Sequence, residues 1–245
     1  MFVFRRNLLN LLNRTLRRLS IKIVRDDYLD MPAMLRRPFL SELGVTTVID
    51  IGASNGCWSR LALQTFKNAD VLAVEPLLEQ QQALLEMTKT EPRFQYASVA
   101  LGRETGSALL AIPTDGDGSK IVLEADPLVE CRTVTVESLD NLISKRKLDG
   151  PFLLKFDTHG YEIPILEGCE STLSQTAAII MECYNFTISP TCLRMDEMIT
   201  HLGNYGFRVA DICSPSWRKL DGAFWQLDIL FLRESHKFFS SNEYE

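Results

Sequence analysis

The sequence has no C-x-x-C pair, no uninterrupted apolar run of membrane-spanning length, and only three histidines among its 245 residues. Its six cysteines, Cys57, Cys131, Cys169, Cys183, Cys192 and Cys213, are widely spaced. That spacing suggests neither a zinc site nor a disulfide framework, and it fits reduced thiols in a cytoplasmic protein. Without ~18 or more consecutive apolar residues there is no candidate transmembrane helix. A secretory signal is not expected either, because arginines interrupt the apolar stretch after Phe2. Acidic residues are absent from positions 1–25, which carry Arg5, Arg6, Arg14, Arg17, Arg18, Lys22 and Arg25. The net charge is −6, so this +7 segment leaves −13 on the remainder, and the molecule as a whole offers no footprint for nucleic acid.

What is present is the material of an ordinary globular protein, 46% hydrophobic and 24% charged. In residues 1–30, Leu8, Leu12, Leu16, Leu19 and Ile23 fall three or four apart, the spacing of one helical face, with a basic face opposite. Such a helix suits peripheral contact with an anionic membrane, Phe2 and Phe4 inserting, or equally a docking or homodimer-forming helix. An Arg-rich, acid-poor start also resembles an organelle transit peptide, the third reading. Residues 31–245 read as one domain. From Thr46, apolar strand-like runs alternate with helical stretches, which predicts an α/β fold with a mostly parallel sheet and helices on both faces.

The expected strands are 48–52, 71–75 and 94–101, with helices over 56–66 and 78–88. Residues 102–149 read as an insertion or flap, with SALLAI and RTVTV as short antiparallel strands around a TDGDGS loop. A second half follows with strands at 151–157 and 177–183, and helices over 163–173 and 193–205. Then come FRVADI and WQLDILFL as a closing antiparallel pair. The tail after Ser235 is polar and expected to fray.

In open α/β sheets ligands lie beyond the carboxyl ends of the strands. The first strand ends in Asp50-Ile51-Gly52-Ala53-Ser54-Asn55-Gly56, where glycines permit a tight turn and close approach to a ligand. Glu75 ends the second strand 25 residues after Asp50, near where an acid holds ribose hydroxyls in such folds. A dinucleotide fingerprint reads G-x-G-x-x-G. The chain gives G-A-S-N-G-C from Gly52, which disfavours a nicotinamide-dependent oxidoreductase, and no phosphate-binding G-x-x-x-x-G-K-[ST] occurs. Asp157 and Glu182 each end an apolar run at the same predicted sheet edge, and His159, with an ordinary pKa near 6.5, is the natural base beside them. Asp157 could equally serve only the cofactor or a helix cap, Glu162 reads as a cap, and Glu182 as an acceptor-site carboxylate or a partner of Lys155. Trp217, Trp225 and Tyr184 are candidates for an acceptor pocket or for core. Asp157, His159 and Glu182 are adequate metal ligands, but their spacing gives no support and no metal is expected.

An acid two residues before the first glycine and a second glycine four residues on resembles the first motif of class I S-adenosylmethionine-dependent methyltransferases, with Ser54 replacing a frequent middle glycine. VIDIGASNGCWS, VLAVEPLLEQ, SVALG, TVTVESLDNLI, LLKFDTHGYEIPILEGCESTL and IIMECYNF, over about Thr46 to Phe186, are similar to the successive motifs of the FkbM family of methyltransferases. GFRVADI and DGAFWQLDILFL resemble the closing strands of one of its branches. The resemblance implies a Rossmann-like domain that transfers a methyl group from S-adenosyl-L-methionine, usually to a hydroxyl of a sugar, glycan or natural product. It implies that Gly52, Ala53, Ser54 and Gly56 approach the amino-acid end of the cofactor, with Asp50 organising the loop beneath. Glu75 would hold the ribose, and Ser98 and Val99 would flank the adenine. Where the family commonly has an acid, this chain has His159. The rival outside enzymes is a binding protein on a degenerate methyltransferase scaffold, against which the intact Asp50, Gly52, Gly56 and Glu75 set argues.

Overall fold

A computed structural model describes residues 29–113 and 118–243. The basic amphipathic helix expected within residues 1–30 lies almost wholly outside the described residues. In chain order the elements are α1 (Met31–Leu35), a 3-10 turn over Pro38–Leu43, β1 (Thr47–Ile51), α2 (Cys57–Thr65), β2 (Asp70–Val74), α3 (Leu78–Thr90) and β3 (Phe94–Ala97). Next come β4 (Ala100–Leu101), β5 (Gly106–Ile112), β6 (Lys120–Val122), β7 (Glu130–Glu137), α4 (Leu139–Arg146) and β8 (Phe152–Phe156). The last are α5 (Glu162–Glu167), α6 (Glu170–Ser174), β9 (Thr176–Tyr184), α7 (Met195–Asn204), β10 (Phe207–Trp217) and β11 (Phe224–Arg233).

Seven strands form the main sheet in the order β3-β2-β1-β8-β9-β11-β10. Pairing is parallel from β3 to β9, and β11 runs antiparallel to both its neighbours. The fold is therefore the Rossmann-like, mostly parallel doubly wound sheet that the alternating pattern predicted. The closing pair forms as a hairpin but does not simply add to the edge, because β11 inserts between β9 and β10. Composition accounts for this: β11 carries the consecutive buried run Ile229, Leu230, Phe231 and Leu232, as a central strand must, whereas β10 is half exposed along its length.

Successive residues of a strand point to opposite faces, so each inner strand feeds two cores. Ile49, Ile51, Leu154 and Phe156 pack with Leu139 and Ile143 of α4, Ile165 of α5 and Leu202 of α7. Val48, Val71 and Leu153 pack on the other face with Met34, Leu63 and Met87 from α1, α2 and α3. On that second face the alternation also places two charged residues, Asp50 and Lys155, both buried.

The stretch expected to be a flap resolves into two parts. The first is a four-stranded sheet of order β4-β7-β5-β6, with β5 antiparallel to β7 and β6; β6 was not foreseen. The second is α4, whose Leu139, Leu142 and Ile143 belong to the main core. The strand expected over 94–101 is accordingly split: β3 stays in the main sheet and β4 joins the small one. The helix expected over 163–173 is also split. At Gly168 a Cβ would lie 2.1 Å from the Gly102 carbonyl oxygen, so the chain is pinned there by backbone. It restarts as α6, where the Asp140 carboxylate accepts from the Ser171 and Thr172 amides at 2.9 and 2.8 Å. The tail is held more firmly than its polarity suggested, since Phe238 packs 4.7 Å from Phe39 and Arg208 covers Phe239. Among the described residues, no helix is long and apolar enough to cross a membrane.

Two glycines should respond oppositely to alanine. Gly168→Ala must displace the Gly102 segment and should cost about 1–3 kcal/mol. Gly203→Ala, on the exposed side of α7 with nothing within 4 Å, should add about 0.5–1 kcal/mol. Urea midpoints of the two variants against the parent measure both.

Candidate active site

The carboxyl ends of β1, β2, β8 and β9 open into one cavity of about 760 Å³, roofed by the small sheet through Leu110, Lys120 and Ile121. One side of it grows from the turn after β1. Gly52, Ser54 and Gly56 all take positive φ, at 79°, 47° and 77°, which folds the loop back tightly. Gly52 has a further reason to lack a side chain: a Cβ there would sit 2.0 Å from the Asp157 carbonyl oxygen. This close approach lets the ends of β1 and β8 lie together, with the Asp157 amide donating to the Ile51 carbonyl at 3.0 Å. Gly56 instead gives way to Met87 and Leu84 of α3.

Glu75 joins this loop to the second strand. Its carboxylate accepts from the Ser54 amide at 2.8 Å and from the Leu77 amide at 2.8 Å. Burial raises its pKa and these two amide bonds oppose that rise. Of the residues expected around a cofactor, Gly52, Ser54, Glu75 and Val99 line the cavity. Asp50, Ala53 and Gly56 lie behind it as supports. Ser98 is exposed and is not among the lining residues, because the chain leaves the main sheet there and Ala100 and Leu101 take the wall.

Beneath the loop, Asp50 is fully buried and accepts from Ser59 Oγ at 2.6 Å through Oδ2. Its Oδ1 has no hydrogen bond and faces Lys155 Nζ at 3.9 Å. Lys155 donates to Asp157 Oδ2 at 2.6 Å. Burial would lower the Lys155 pKa, but the charges of Asp157 and Asp50 outweigh it and the net shift is upward. Burial likewise would raise Asp157, and the charge and hydrogen bond of Lys155 reverse it, so that Asp157 is held below the usual carboxylate range. Asp228, facing the same lysine from β11, is pushed up to about 6 by burial.

The opposite side of the cavity is a polar wall. His159 takes φ 52° in the turn after β8, a left-handed conformation that His tolerates better than bulkier residues, and Gly160 follows at 97°. The turn swings the imidazole toward β9, where Nδ1 lies 2.8 Å from Tyr184 Oη and 3.2 Å from Glu182 Oε2. The Tyr184 hydroxyl donates to Glu182 Oε2, and Gln226 Nε2 donates to Glu182 Oε1. With the phenol proton committed to Glu182, Nδ1 is the donor to Tyr184, which leaves the lone pair of the neutral ring on Nε2, 3.9 Å from Asp157 Oδ1. Burial would lower the His159 pKa. The Glu182 hydrogen bond and the charges of Asp157, Glu182 and Glu162 prevail, so it is raised.

The structure thus brings Asp157, His159 and Glu182 together at the sheet edge where the strand ends placed them, one ligand atom of each lying within 4.8 Å of the others. Both carboxylates already have donors within the protein. Lys155 pairs with Asp157 and Asp50 and not with Glu182, which lines the cavity. Glu162, expected to cap its helix, instead accepts from Gly160 N and Thr158 Oγ1 at 3.0 Å each and braces the turn before α5, whose N-cap is Tyr161 without a side-chain cap. Tyr184 and Trp225 line the cavity, packed edge to face; Trp217 is 60% exposed and does not. Gln226, Ser59 and Asp228 were missed. The available signal was the two-residue spacing of Glu182 with Tyr184 and of Gln226 with Asp228, which puts each pair on one face of its strand.

A family model described as the methyltransferase FkbM domain matches residues 50–209. No curated protein matches the chain. Similar solved structures include methyltransferase FkbM from Methylobacillus flagellatus KT, at 17% identity and TM-score 0.49, covering 82% of this chain and 48% of that one. They also include the magnesium protoporphyrin IX methyltransferase ChlM of Synechocystis PCC 6803, solved with bound SAM, at 13% identity and TM-score 0.45, covering 82% and 76%. A third is the 1,6-didemethyltoxoflavin-N1-methyltransferase of Burkholderia thailandensis, at 12% identity and TM-score 0.43, covering 82% and 76%. The present chain spans about half the length of the M. flagellatus protein. Since the family model covers well over half of its residues, the chain belongs to the FkbM methyltransferase domain family.

Proposed function

We propose that the protein transfers a methyl group from S-adenosylmethionine to a hydroxyl of a sugar, glycan or other small hydroxylated molecule. The observation that carries this reading is that one cavity is walled on one side by the Gly52–Ser54 turn with Glu75 and on the other by Asp157, His159 and Glu182. Its volume falls within the roughly 300–1,000 Å³ of small-molecule sites. The donor set fits the cofactor. Glu75 is locked by two backbone amides yet keeps lone pairs on both oxygens for a vicinal diol, and a wall of carboxylates suits a cation.

Bound there, S-adenosylmethionine supplies a methyl group already activated by its positive sulfur. What remains for the protein is alignment of the two partners and removal of the hydroxyl proton. His159 Nε2 is the proton acceptor. Glu182 and Tyr184 fix the ring through Nδ1, and Asp157 and Glu182 stabilise the imidazolium that results. Tyr184 and Trp225 offer ring faces and edges to an acceptor, a surface suited to the apolar side of a sugar.

Calorimetric titration with S-adenosylhomocysteine tests the cofactor half. The wild-type protein should bind it and Glu75→Ala should bind at least about tenfold more weakly; a folded wild type that gives no heat sinks the reading. The acceptor half is tested with methyl-labelled donor and a panel of hydroxylated sugars. His159→Asn should lower kcat about 10²–10⁴-fold while sparing cofactor affinity. Because the pKa of His159 is raised, wild-type kcat should climb with pH through a value above the ordinary 6.5, and the variant should lack that limb.

A further inference from the structure

Lys155 stands in the middle of the charge pattern and touches no part of the cavity itself. It is 4% exposed, and its Nζ lies 5.8 Å from the Trp58 ring centroid, 2.6 Å from Asp157 Oδ2 and 3.9 Å from Asp50 Oδ1. Four carboxylates surround this region: Asp50, Asp157, Glu182 and Asp228. Among the described residues, Lys155 is the one lysine or arginine in an ion pair with any of them. It approaches Asp157 from behind and leaves Oδ1 toward His159 and the cavity. The Asp157 side chain is 34% exposed, and with three other carboxylates nearby it would hold a proton far more readily if Lys155 were absent. The ammonium prevents this, and the cavity wall therefore ends in a fixed negative group.

S-adenosylmethionine and its product S-adenosylhomocysteine differ by a methyl group and by one positive charge on sulfur. Glycine turns, Glu75 and the adenine wall meet the same atoms in both. Only the local charge can separate them strongly, and in a site partly removed from water a single carboxylate does so. We propose that Lys155 is the positioning residue that sets this discrimination: by holding Asp157 as an aligned carboxylate at the cavity wall, it makes the site favour the cationic donor over its neutral product. Product then leaves because the charge that held the donor has been transferred away. The inference rests on the S-adenosylmethionine reading, and the two fail differently, as the titrations separate them.

The full chain is titrated calorimetrically with S-adenosylmethionine and with S-adenosylhomocysteine, for the wild type, Asp157→Asn, Lys155→Met and the double variant. The wild type should bind the donor more tightly than the product. That preference should fall about tenfold or more in each single variant and no further in the double variant, because both substitutions remove one unit. The pH dependence distinguishes a charge role from mere packing. In Lys155→Met the preference should return as pH rises and Asp157 ionises unaided; in Asp157→Asn it should not. The groups facing Asp157 are Asp50 from β1, Glu75 beyond β2, Lys155 from β8, His159 from the following turn, Glu182 and Tyr184 from β9, and Asp228 from β11. All except Lys155 and Asp157 are present in every variant compared, and only Lys155→Met keeps an aspartate at 157 that can regain its charge. If Lys155→Met fails to fold, Asp157→Asn decides, since it keeps Lys155 beside Asp50 and a preference it retains overturns the proposal. A preference retained in Asp157→Asn, or additive losses in the double variant, would overturn the proposal. Binding of neither compound by the folded wild type would instead overturn the cofactor reading, and equal binding of both would overturn only the charge selectivity.

Discussion

One ammonium buried between two neighbouring parallel strands constrains everything around it. β1 and β8 are paired in register, with Asp50 opposite Lys155, so their charged side chains fall on the same face one strand apart. The pair is sunk beneath a turn that has to be glycine-rich, because the Asp157 carbonyl occupies the space a Gly52 side chain would need. Breaking such a pair by removing one partner strands the other charge in a poor solvent. The carboxyl ends of the two strands are therefore locked together, and with them the two halves of the cavity: the Gly52–Ser54 loop and the wall of Asp157, His159 and Glu182.

The rest of the wall is built by satisfying groups that would otherwise be costly to bury. Glu75 survives at 5% exposure because the Ser54 and Leu77 amides reach it, and those bonds also shape the turn that lines the cavity. Glu182 survives because Tyr184 and Gln226 donate to its two oxygens. Each acid is at once a structural acceptor and part of the cavity lining. This double use explains why the site resists description as a set of independent residues: the partner that steadies a carboxylate also fixes which lone pair remains for a ligand.

The small sheet completes the enclosure from a different direction. It leaves the main sheet at Ser98 and Val99, returns at the start of α4, and is anchored by the backbone contact between Gly102 and Gly168. Its strand β6 brings Lys120 over the cavity, where Nζ donates to the Ile188 carbonyl in the loop after β9. The roof is thus tied across to the loop after β9, and the aromatic pair Tyr184 and Trp225 lines the same cavity.

The order and type of the main elements were readable from the chain because apolar period and punctuation are local properties. VIDIG, VLAVE, PFLLKFD and AAIIMEC each announce a buried strand, and the acids Glu75, Asp157 and Glu182 sit at their ends where an open sheet gathers ligands. The glycine turn with Asp50 and the resemblance of successive motifs were likewise visible in one dimension. The contacts were not. Nothing local tells that β11 slips inside β10, since strand order is decided by which apolar face is best covered on both sides. Nor does local pattern say that Lys155 chooses Asp157 and Asp50 over Glu182, that Ser98 turns outward, or that Asp157, His159 and Glu182 meet within 4.8 Å. Those outcomes depend on register between strands far apart in the chain and on the turn geometry that aims His159. The sequence determined the parts and the edge at which they meet; the packing of parallel strands decided which charges face one another.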